Sequence, residues 1–186
     1  DRSVSRGLGD VYKRQGLPGY GVARKDLSTG EILLPLTEEP DSGTPGSNEI
    51  LPSSQVYSLA VNPDTGNLYI GTGNGALTWN GNTATDLSRG GSWNLQPSQH
   101  FGFVFDGSTA YSATNIGVCE YTQTAIQECV NAQDGMPNWG VYAIGMNSTT
   151  IFGGTTNGVG LIDKSSMNVV DTWEAGEDTD LSLIHI

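Results

Sequence analysis

Residues 56–75 read VYSLAVNPDTGNLYIGTGNG, and this stretch decides the fold because two close copies of it follow. The copies are HFGFVFDGSTAYSATNIG at 100–117 and VYAIGMNSTTIFGGTTNG at 141–158. Each copy contains an alternating strand, a polar turn, a second strand and a turn that contains Asn. Three sets of residues occupy equivalent positions: Tyr57, Phe101 and Tyr142; Tyr69, Tyr111 and Phe152; Asn74, Asn115 and Asn157.

The spacing of the copies predicts a β-propeller. A repeat of about 40–45 residues built from short strands is the period of a four-stranded propeller blade. We therefore predict an all-β chain with three four-stranded antiparallel blades at residues 56–97, 98–138 and 139–176. Propellers typically close with four to eight blades, so we expect a β-propeller fragment that forms an open arc.

Residues 16–55 are predicted to hold a partial blade followed by an acidic loop. GYGVARKDLSTGEILLPL at 19–36 matches GVGLIDKSSMNVVDTW at 158–173, with Asp26 equivalent to Asp163. This match predicts the third and fourth strands of a blade. The loop at 37–55 is rich in Pro, Gly, Ser and carboxylates. It could bind calcium, but it lacks a regular spacing of oxygen ligands, which favours a solvated loop.

The two ends of the chain differ from the repeats. Residues 1–15, DRSVSRGLGDVYKRQ, hold four of the eight basic residues and lack the apolar centre of a signal peptide. They resemble translated sequencing-adaptor read-through in metagenomic assemblies, and LSLIHI at 181–186 resembles the other end of the same artefact. We therefore expect segments 1–15 and 177–186 to be non-native, and the chain to be a fragment of a longer protein.

Composition excludes several classes of function. The formal charge is −12, whereas phosphate binding needs clustered Lys and Arg, so nucleic acid is excluded as a partner. No long apolar run predicts a membrane span within the fragment. The excess of carboxylates suits a secreted or surface protein, although solubility alone also explains it.

The first strands alternate large and small side chains. Tyr57 and Leu59 alternate with Ser58 and Ala60, and the other two copies follow the same rule. Successive side chains of a strand point to opposite faces, so one face is bulky and the other slight. We expect the bulky face of one blade to pack on the slight face of its neighbour.

The two cysteines predict a disulfide. Cys119 and Cys129 fall on the third and fourth strands of the middle blade and are symmetric about Thr124, the expected turn. A cross-strand bridge would place the protein in an oxidising compartment, extracellular, at the cell surface or periplasmic. The alternative is a pair of reduced cysteines that face each other.

The repeats resemble β-propeller repeats, most of all the two-component-regulator type of microbial surface and periplasmic proteins. The resemblance is carried by VYSLAVNPDTGNLYIGTGNGALTWNG at 56–81 and VYAIGMNSTTIFGGTTNGVGLID at 141–163. The chain departs from the family pattern in its second-strand aromatic, which is Tyr or Phe rather than Trp, and no Trp-Asp pair closes a blade. Such motifs identify a fold better than a function.

The resemblance also implies where a ligand would bind. In related propellers, the loops before the first strand and the loops between the second and third strands share one face at the channel mouth. The residues that these loops contribute here are Gln55, Gln99, His100 and Trp139, with Asn74, Asn115 and Asn157 beside them. Amides and an aromatic ring suit a neutral polar ligand such as a glycan or peptide.

Each of these residues also has a purely structural interpretation. The Asn residues can serve backbone conformation alone, and a single His at the start of an inner strand is more often a hydrogen-bonded structural residue. Trp139 is the strongest candidate, because nothing in the repeat requires a Trp there.

No catalytic residue, metal or cofactor is predicted. The first strands carry no pair of carboxylates, and His100 is the one histidine outside the expected non-native tail. We predict a non-catalytic segment of a microbial secreted or cell-surface protein that binds an unidentified protein, peptide or glycan, or acts as a scaffold, in sensing or adhesion. One alternative is a fragment of a propeller hydrolase or lyase with its catalytic residues in missing blades. Another is the sensor segment of a membrane-spanning kinase.

Overall fold

The computed structural model describes residues 4–5, 12–17, 19–38, 49–87, 96–122 and 125–174. The tail at 177–186, most of the leader at 1–15, the centre of the acidic loop and the turn at Thr124 lie outside the described residues.

The described residues form seventeen strands and one short 3-10 helix, arranged in four sheets. The first sheet contains β1 Val4–Ser5, β2 Tyr12–Leu17, β3 Gly21–Asp26, β4 Ile32–Glu38 and β5 Glu49–Leu51. The second contains β6 Val56–Val61, β7 Leu68–Thr72, β8 Gly75–Trp79 and β9 Ala84–Asp86. The third contains β10 His100–Asp106, β11 Thr109–Thr114, β12 Gly117–Thr122 and β13 Ala125–Val130. The fourth contains β14 Val141–Met146, β15 Thr150–Thr155, β16 Gly158–Asp163 and β17 Asn168–Glu174.

The arrangement of the sheets confirms the predicted fold class. The second, third and fourth sheets are antiparallel meanders in chain order. Their first strands contact one another in the order β6, β10, β14, and β2 contacts β6. The described sheets therefore stack side by side as the blades of an all-β propeller fragment in an open arc.

The first sheet holds more strands than the sequence predicts. β3 and β4 occupy the expected third and fourth positions, but β1 and most of β2 belong to residues 1–15, the predicted non-native leader, and Gln15 pairs with Ala23. β5 pairs parallel to β4, where only a loop was expected. Strand edges carry unpaired N–H and C=O groups, so an extended neighbouring segment readily pairs with them. The non-native origin of residues 1–15 stays a prediction.

Three hydrophobic clusters fill the spaces between successive sheets. Between the second and third sheets, Phe103 and Phe105 of β10 pack on Ala60 and Tyr69. The Tyr69 ring lies 5.5 Å from that of Phe103 and 4.9 Å from that of Phe105, between centroids. This contact is the predicted packing of a bulky face on a slighter one.

The same packing occurs at the other two junctions. Leu59 and Val61 belong to the cluster that faces Val22 and Leu36 of the first sheet. Ile144 and Met146 of β14 pack into the cluster that contains Tyr111, with Val104 beside them. Removing such side chains from water is the main stabilising contribution, about 1.5–3 kcal/mol for each large apolar side chain.

The first large residue of each first strand leaves this pattern. The pairing register shifts between Val56 and Ser58, between His100 and Gly102, and between Val141 and Ala143. The residues inside these shifts are Tyr57, Phe101 and Tyr142. A β-bulge places two residues opposite one and changes the direction of the side chain. Alternation alone therefore buries Tyr57 and Tyr142, which are exposed, and places Phe101 on the wrong face, because Phe101 packs against the cluster between the third and fourth sheets.

Each third strand begins at a glycine that the backbone requires. Gly117 and Gly158 have φ of 134° and 145°, a region that favours glycine. A Cβ at Gly117 would overlap the carbonyl of Val130, and one at Gly158 would overlap that of Trp173. These glycines let the fourth strand of each blade approach the start of the third strand closely.

The predicted disulfide is present. Cys119 and Cys129 are directly opposite in the β12–β13 ladder and are bonded. Both side chains are buried in the cluster between the second and third sheets. The bridge thus ties the two outer strands of the third sheet together.

Polar contacts join the turns at the end of the blades away from the bulges. Asp106 ends β10 and Gly107 follows it in the β10–β11 turn, and Lys164 forms an ion pair with Asp106 at 2.8 Å between Nζ and Oδ2. Asn62 donates a hydrogen bond from Nδ2 to the Gly107 carbonyl at 2.9 Å. The third sheet is therefore linked to both of its neighbours at this end.

Candidate ligand-binding face

Three bulged aromatics form a continuous row across the second, third and fourth sheets. The ring centroids of Tyr57 and Phe101 are 5.4 Å apart, and those of Phe101 and Tyr142 are 5.1 Å apart. Tyr57 is 40% exposed, Tyr142 is 55% exposed and Phe101 is half-buried. We call Tyr57, Phe101 and Tyr142 the aromatic row.

Amide side chains flank the row on the side of the loops that precede the first strands. Gln55 and Gln99 stand two residues before their aromatics, and the Tyr57 hydroxyl donates to Oε1 of Gln55 at 3.4 Å. The fourth sheet has Gly140 at the equivalent position. A Cβ there would lie 3.0 Å from the Tyr142 hydroxyl, so this ring occupies the space of the missing side chain.

Backbone hydrogen bonds hold the loops at this end together. The N–H of Gly73 donates to the Gln55 carbonyl at 2.8 Å, and that of Asn115 donates to the Gln99 carbonyl at 3.3 Å. The N–H of Gly75 donates to Ser98 of the next repeat at 2.6 Å. The loops before the first strands and the turns between the second and third strands therefore share one end, as the resemblance implied.

His100 does not reach this surface. Its side chain is fully buried, and Nε2 lies 2.7 Å from the Tyr121 hydroxyl. Burial lowers the pKa of His100 to about 3 and raises the pKa of Tyr121. Nδ1 has no hydrogen-bond partner among the described residues. We therefore remove His100 from the candidate face.

The three Asn residues are not structurally equivalent. A Thr hydroxyl bonds the glycine carbonyl three residues later in every copy: Thr72 to Gly75 at 2.8 Å, Thr114 to Gly117 at 2.8 Å and Thr155 to Gly158 at 2.9 Å. In this register Asn74 and Asn157 are equivalent, whereas Asn115 lies one position earlier and is equivalent to Gly73 and Thr156. The sequence does not reveal this shift, because a change of one residue in the spacing between Asn positions is indistinguishable from a change in loop length.

The Asn side chains differ in role as well as in register. Oδ1 of Asn115 accepts from the N–H groups of Ser98 and Gln99, at 3.1 and 3.0 Å. This side chain is therefore used within the fold. Asn74 and Asn157 are exposed, and their N–H groups donate to the Thr72 and Thr155 hydroxyls. Their side chains remain candidates for ligand contact.

Trp139 lies on the loop before β14, at the same end as the row. The backbone N–H of Trp139 donates to Oδ1 of Asn138 at 2.7 Å, and Nδ2 of Asn138 donates to the Thr156 hydroxyl at 2.9 Å. The indole is half-buried. The structure thus brings Gln55, Gln99 and Trp139 to one end, while the aromatic row supplies the largest apolar surface there.

Sequence alternation does not reveal the aromatic row as a site. It predicts instead that Tyr57, Phe101 and Tyr142 all pack between blades, because they continue the pattern of large and small residues. One signal was available: an aromatic recurs at the second position of all three first strands. The bulge that exposes it leaves no mark in the sequence pattern.

The chemistry of the face is neutral. The aromatic row and the Gln and Asn side chains beside it carry no formal charge. No group of three or more His, Cys, Asp or Glu side chains within the described ranges could hold a metal ion. No helix in the described part of the chain has the length and apolar character to cross a membrane.

Comparison with solved structures supports the fold. The chain superposes with a TM-score of 0.69 and 19% identity on the extracellular domain of a protein described as a hybrid two-component system from B. thetaiotaomicron. The match covers 92% of this chain and 22% of that one. Two computationally designed proteins, Ika8 and Ika4, give TM-scores of 0.59 and 0.54 at 12% and 13% identity. Both matches cover 94% of this chain, and they cover 51% of Ika8 and 90% of Ika4.

These likenesses show the fold alone. No protein-family model matches the sequence, and no curated protein matches it significantly.

Proposed function

We propose that this chain is a non-catalytic propeller segment of a microbial secreted or cell-surface protein, and that it binds a neutral polar ligand across the aromatic row. Such a segment would serve sensing, adhesion or scaffolding. The observation that carries the proposal is the row itself, with neighbouring ring centroids 5.4 and 5.1 Å apart and with Tyr57 and Tyr142 40% and 55% exposed.

The physical argument rests on what aromatic rings offer a ligand. Tyr and Phe provide rigid contact area, and the Tyr hydroxyls provide hydrogen bonds at the same place. The amides of Gln55 and Gln99 add donors and acceptors that fix orientation. A flat apolar surface with convergent uncharged polar groups suits the faces of sugar rings or an extended peptide.

Two observations support an extracellular or periplasmic setting. Disulfides persist in oxidising compartments, and the Cys119–Cys129 bond is buried and well placed in the ladder. The B. thetaiotaomicron neighbour is described as an extracellular domain, of which this chain spans about a fifth. A relation to two-component-regulator propellers is part of the proposal and rests on the repeat motifs.

The test is a binding screen with neutral oligosaccharides and uncharged peptides as probes. We expect the wild type to bind at least one probe, and Tyr57→Ala or Tyr142→Ala to weaken that binding about tenfold each. Trp139→Ala measures how far the site extends along its loop.

The matched control is Tyr20→Ala, because Tyr20 is 76% exposed and is not part of the row. Binding that survives the double variant Tyr57→Ala/Tyr142→Ala would refute the proposal, as would a screen in which the folded wild type binds no probe.

A further inference from the structure

The aromatic row is exposed even where sheets lie on both of its sides. Tyr57 belongs to the second sheet, which contacts the first sheet and the third, yet 40% of its surface is exposed. Phe101 also has a sheet on each side and is half-buried. The bulges in β6 and β10 turn these two rings out of the junctions. The cause of their exposure is therefore local to each first strand.

The tilt of the rings limits which ligand can use the whole row. The planes of Tyr57 and Phe101 are inclined by 40°, and those of Phe101 and Tyr142 by 39°. An aromatic ring offers its partner a flat face with a preferred geometry. No single flat face can lie parallel to two neighbouring rings here, so a stiff chain of sugar rings fits only one of them. Small apolar groups that each contact one ring fit the whole row.

The steps along the row fit a polyproline II helix. This left-handed helix has three residues per turn and rises about 9 Å in that turn. The two steps of the row, 5.4 and 5.1 Å between centroids, together reach at most slightly beyond one such turn. Prolines three residues apart lie on the same side of the helix, so one pair of them can contact Tyr57 and Tyr142, with Phe101 between.

Hydrogen-bond donors beside the row fit the same peptide. A polyproline II backbone makes no internal hydrogen bonds and proline has no N–H, so its carbonyls require donors from the partner. The side-chain amides of Gln55 and Gln99 and the indole of Trp139 carry such donors at this end. The Tyr57 hydroxyl donates to Oε1 of Gln55 at 3.4 Å, which uses an acceptor of that amide and none of its donors.

A carboxylate stands at one end of the row. Oε2 of Glu38 accepts from the N–H of Ser54 at 2.9 Å, next to Gln55, and the Glu38 side chain is exposed. Because the row itself is uncharged, Glu38 gives its Tyr57 end a negative charge. A Lys or Arg beside the prolines complements this charge and fixes the direction of the peptide.

We propose that the aromatic row binds a proline-rich peptide in the polyproline II conformation, with a basic residue of that peptide beside Glu38. The inference rests on the proposed function, which puts the ligand on the row, and it names the class of that ligand. Aromatic surfaces bind such segments in several unrelated domains, and the preformed helix keeps the entropic cost of binding low.

The test uses the intact chain and a fluorescently labelled oligoproline of about two polyproline II turns that carries one terminal arginine. Fluorescence anisotropy should show saturable binding. Tyr57→Ala and Tyr142→Ala should each raise the dissociation constant about tenfold. Tyr20→Ala, which removes an exposed tyrosine outside the row, should leave it unchanged. Circular dichroism equal to that of the wild type shows that each variant retains the fold.

Glu38→Gln separates the charge from the row. The amide oxygen can still accept the Ser54 N–H, so the loop keeps its position. At low salt this variant should raise the dissociation constant of the arginine-bearing peptide about two- to fivefold, and it should leave that of uncharged oligoproline unchanged. Equal effects on both peptides would overturn the placement of the basic residue beside Glu38.

A second peptide and a set of sugars decide between ligand classes. A peptide of the same length and charge, with glycine and serine in place of proline, should bind about tenfold more weakly or less. Equal binding of the two peptides overturns the proposal. Neutral oligosaccharides that bind in a manner sensitive to Tyr57→Ala, with no oligoproline bound at about 1 mM, overturn this inference and keep the proposed function. A folded wild type that binds neither class overturns both.

Discussion

At the scale of single residues, the surroundings of His100 disfavour its charged form. It stands where the other two copies have Val56 and Val141, and its ring is buried against Phe103. Burial disfavours the imidazolium because no opposite charge or solvent compensates it. The folded protein therefore holds His100 neutral well below the pH at which an exposed histidine titrates.

This burial predicts acid sensitivity. The pKa of His100 is about 3 in the folded chain and near 6.5 in the unfolded chain, so between these values the unfolded state binds more protons. The free energy of unfolding therefore falls as pH is lowered through this window, by about 1.4 kcal/mol per pH unit. Urea denaturation at a series of pH values below 6.5 measures the slope.

The control for this prediction is the double variant His100→Val/Tyr121→Phe. It restores the valine of the other copies and removes both partners of the 2.7 Å contact, which is close to neutral for stability at pH 7. His100→Val alone leaves the buried Tyr121 hydroxyl unpaired and costs about 1–3 kcal/mol. An unchanged acid slope in the double variant would show that other groups cause it.

Residue-scale features were the hardest to predict from the sequence. The alternation of Leu59, Phe103 and Ile144 correctly indicated the inter-blade faces, because hydrophobic burial repeats with the strand period. The exposure of Tyr57 and Tyr142 was not predicted, because a bulge depends on how two strands pair and not on either strand alone. The mismatch of Asn115 had a similar cause, since the register of that turn depends on the pairing of Thr114 with Gly117 in the ladder and on the hydrogen bond between them.

At the scale of strands and hairpins, the sequence was more informative. Turn residues and alternating apolar residues predicted a first and a second strand in each of the three repeats, and these strands are present as β6 and β7, β10 and β11, and β14 and β15. The exceptions lie in the first sheet, where β2 is mostly polar, β5 is only three residues long, and the two strands pair with β3 and β4. Backbone pairing is nearly independent of side chains, so composition predicts such strands poorly.

The β12–β13 hairpin predicts a sensitivity to reductant. The Cys119–Cys129 bond closes a loop with a sequence separation of 10, which restricts the unfolded chain and stabilises the fold by about 2–3 kcal/mol. We expect refolding in reductant to lower the free energy of unfolding by this amount, as measured by urea denaturation.

The double variant Cys119→Ala/Cys129→Ala serves as the control, since its stability cannot respond to reductant. Both sulfurs are buried beside Tyr121 and Ile126, so this variant also loses packing and is less stable than the oxidised wild type. Equal stability of the oxidised and reduced wild type would contradict a structural role for the bond.

At the scale of the whole molecule, stability comes from the junctions between sheets. Each junction is a separate cluster, and each cluster draws on two neighbouring sheets, as in other repeat architectures. The repeat period predicted the open arc. The period identifies each repeat as one blade, and three blades with a partial blade are fewer than a closed propeller typically has. Equivalent residues in different copies should therefore differ in energetic weight according to what covers them.

The second-strand aromatics provide that comparison. Tyr69→Ala removes a ring that is packed against Phe103 and Phe105, and we expect a loss of about 3–5 kcal/mol in the free energy of unfolding. Tyr111→Ala should behave alike, because Tyr111 is 3% exposed. Phe152→Ala should cost about 1–2 kcal/mol at low protein concentration, since part of its ring is already in water.

Urea denaturation of the wild type, Tyr69→Ala and Phe152→Ala in dilute protein compares the two costs directly. Equal costs for Tyr69→Ala and Phe152→Ala in dilute protein would contradict the view that the fourth sheet differs from the others in what covers it.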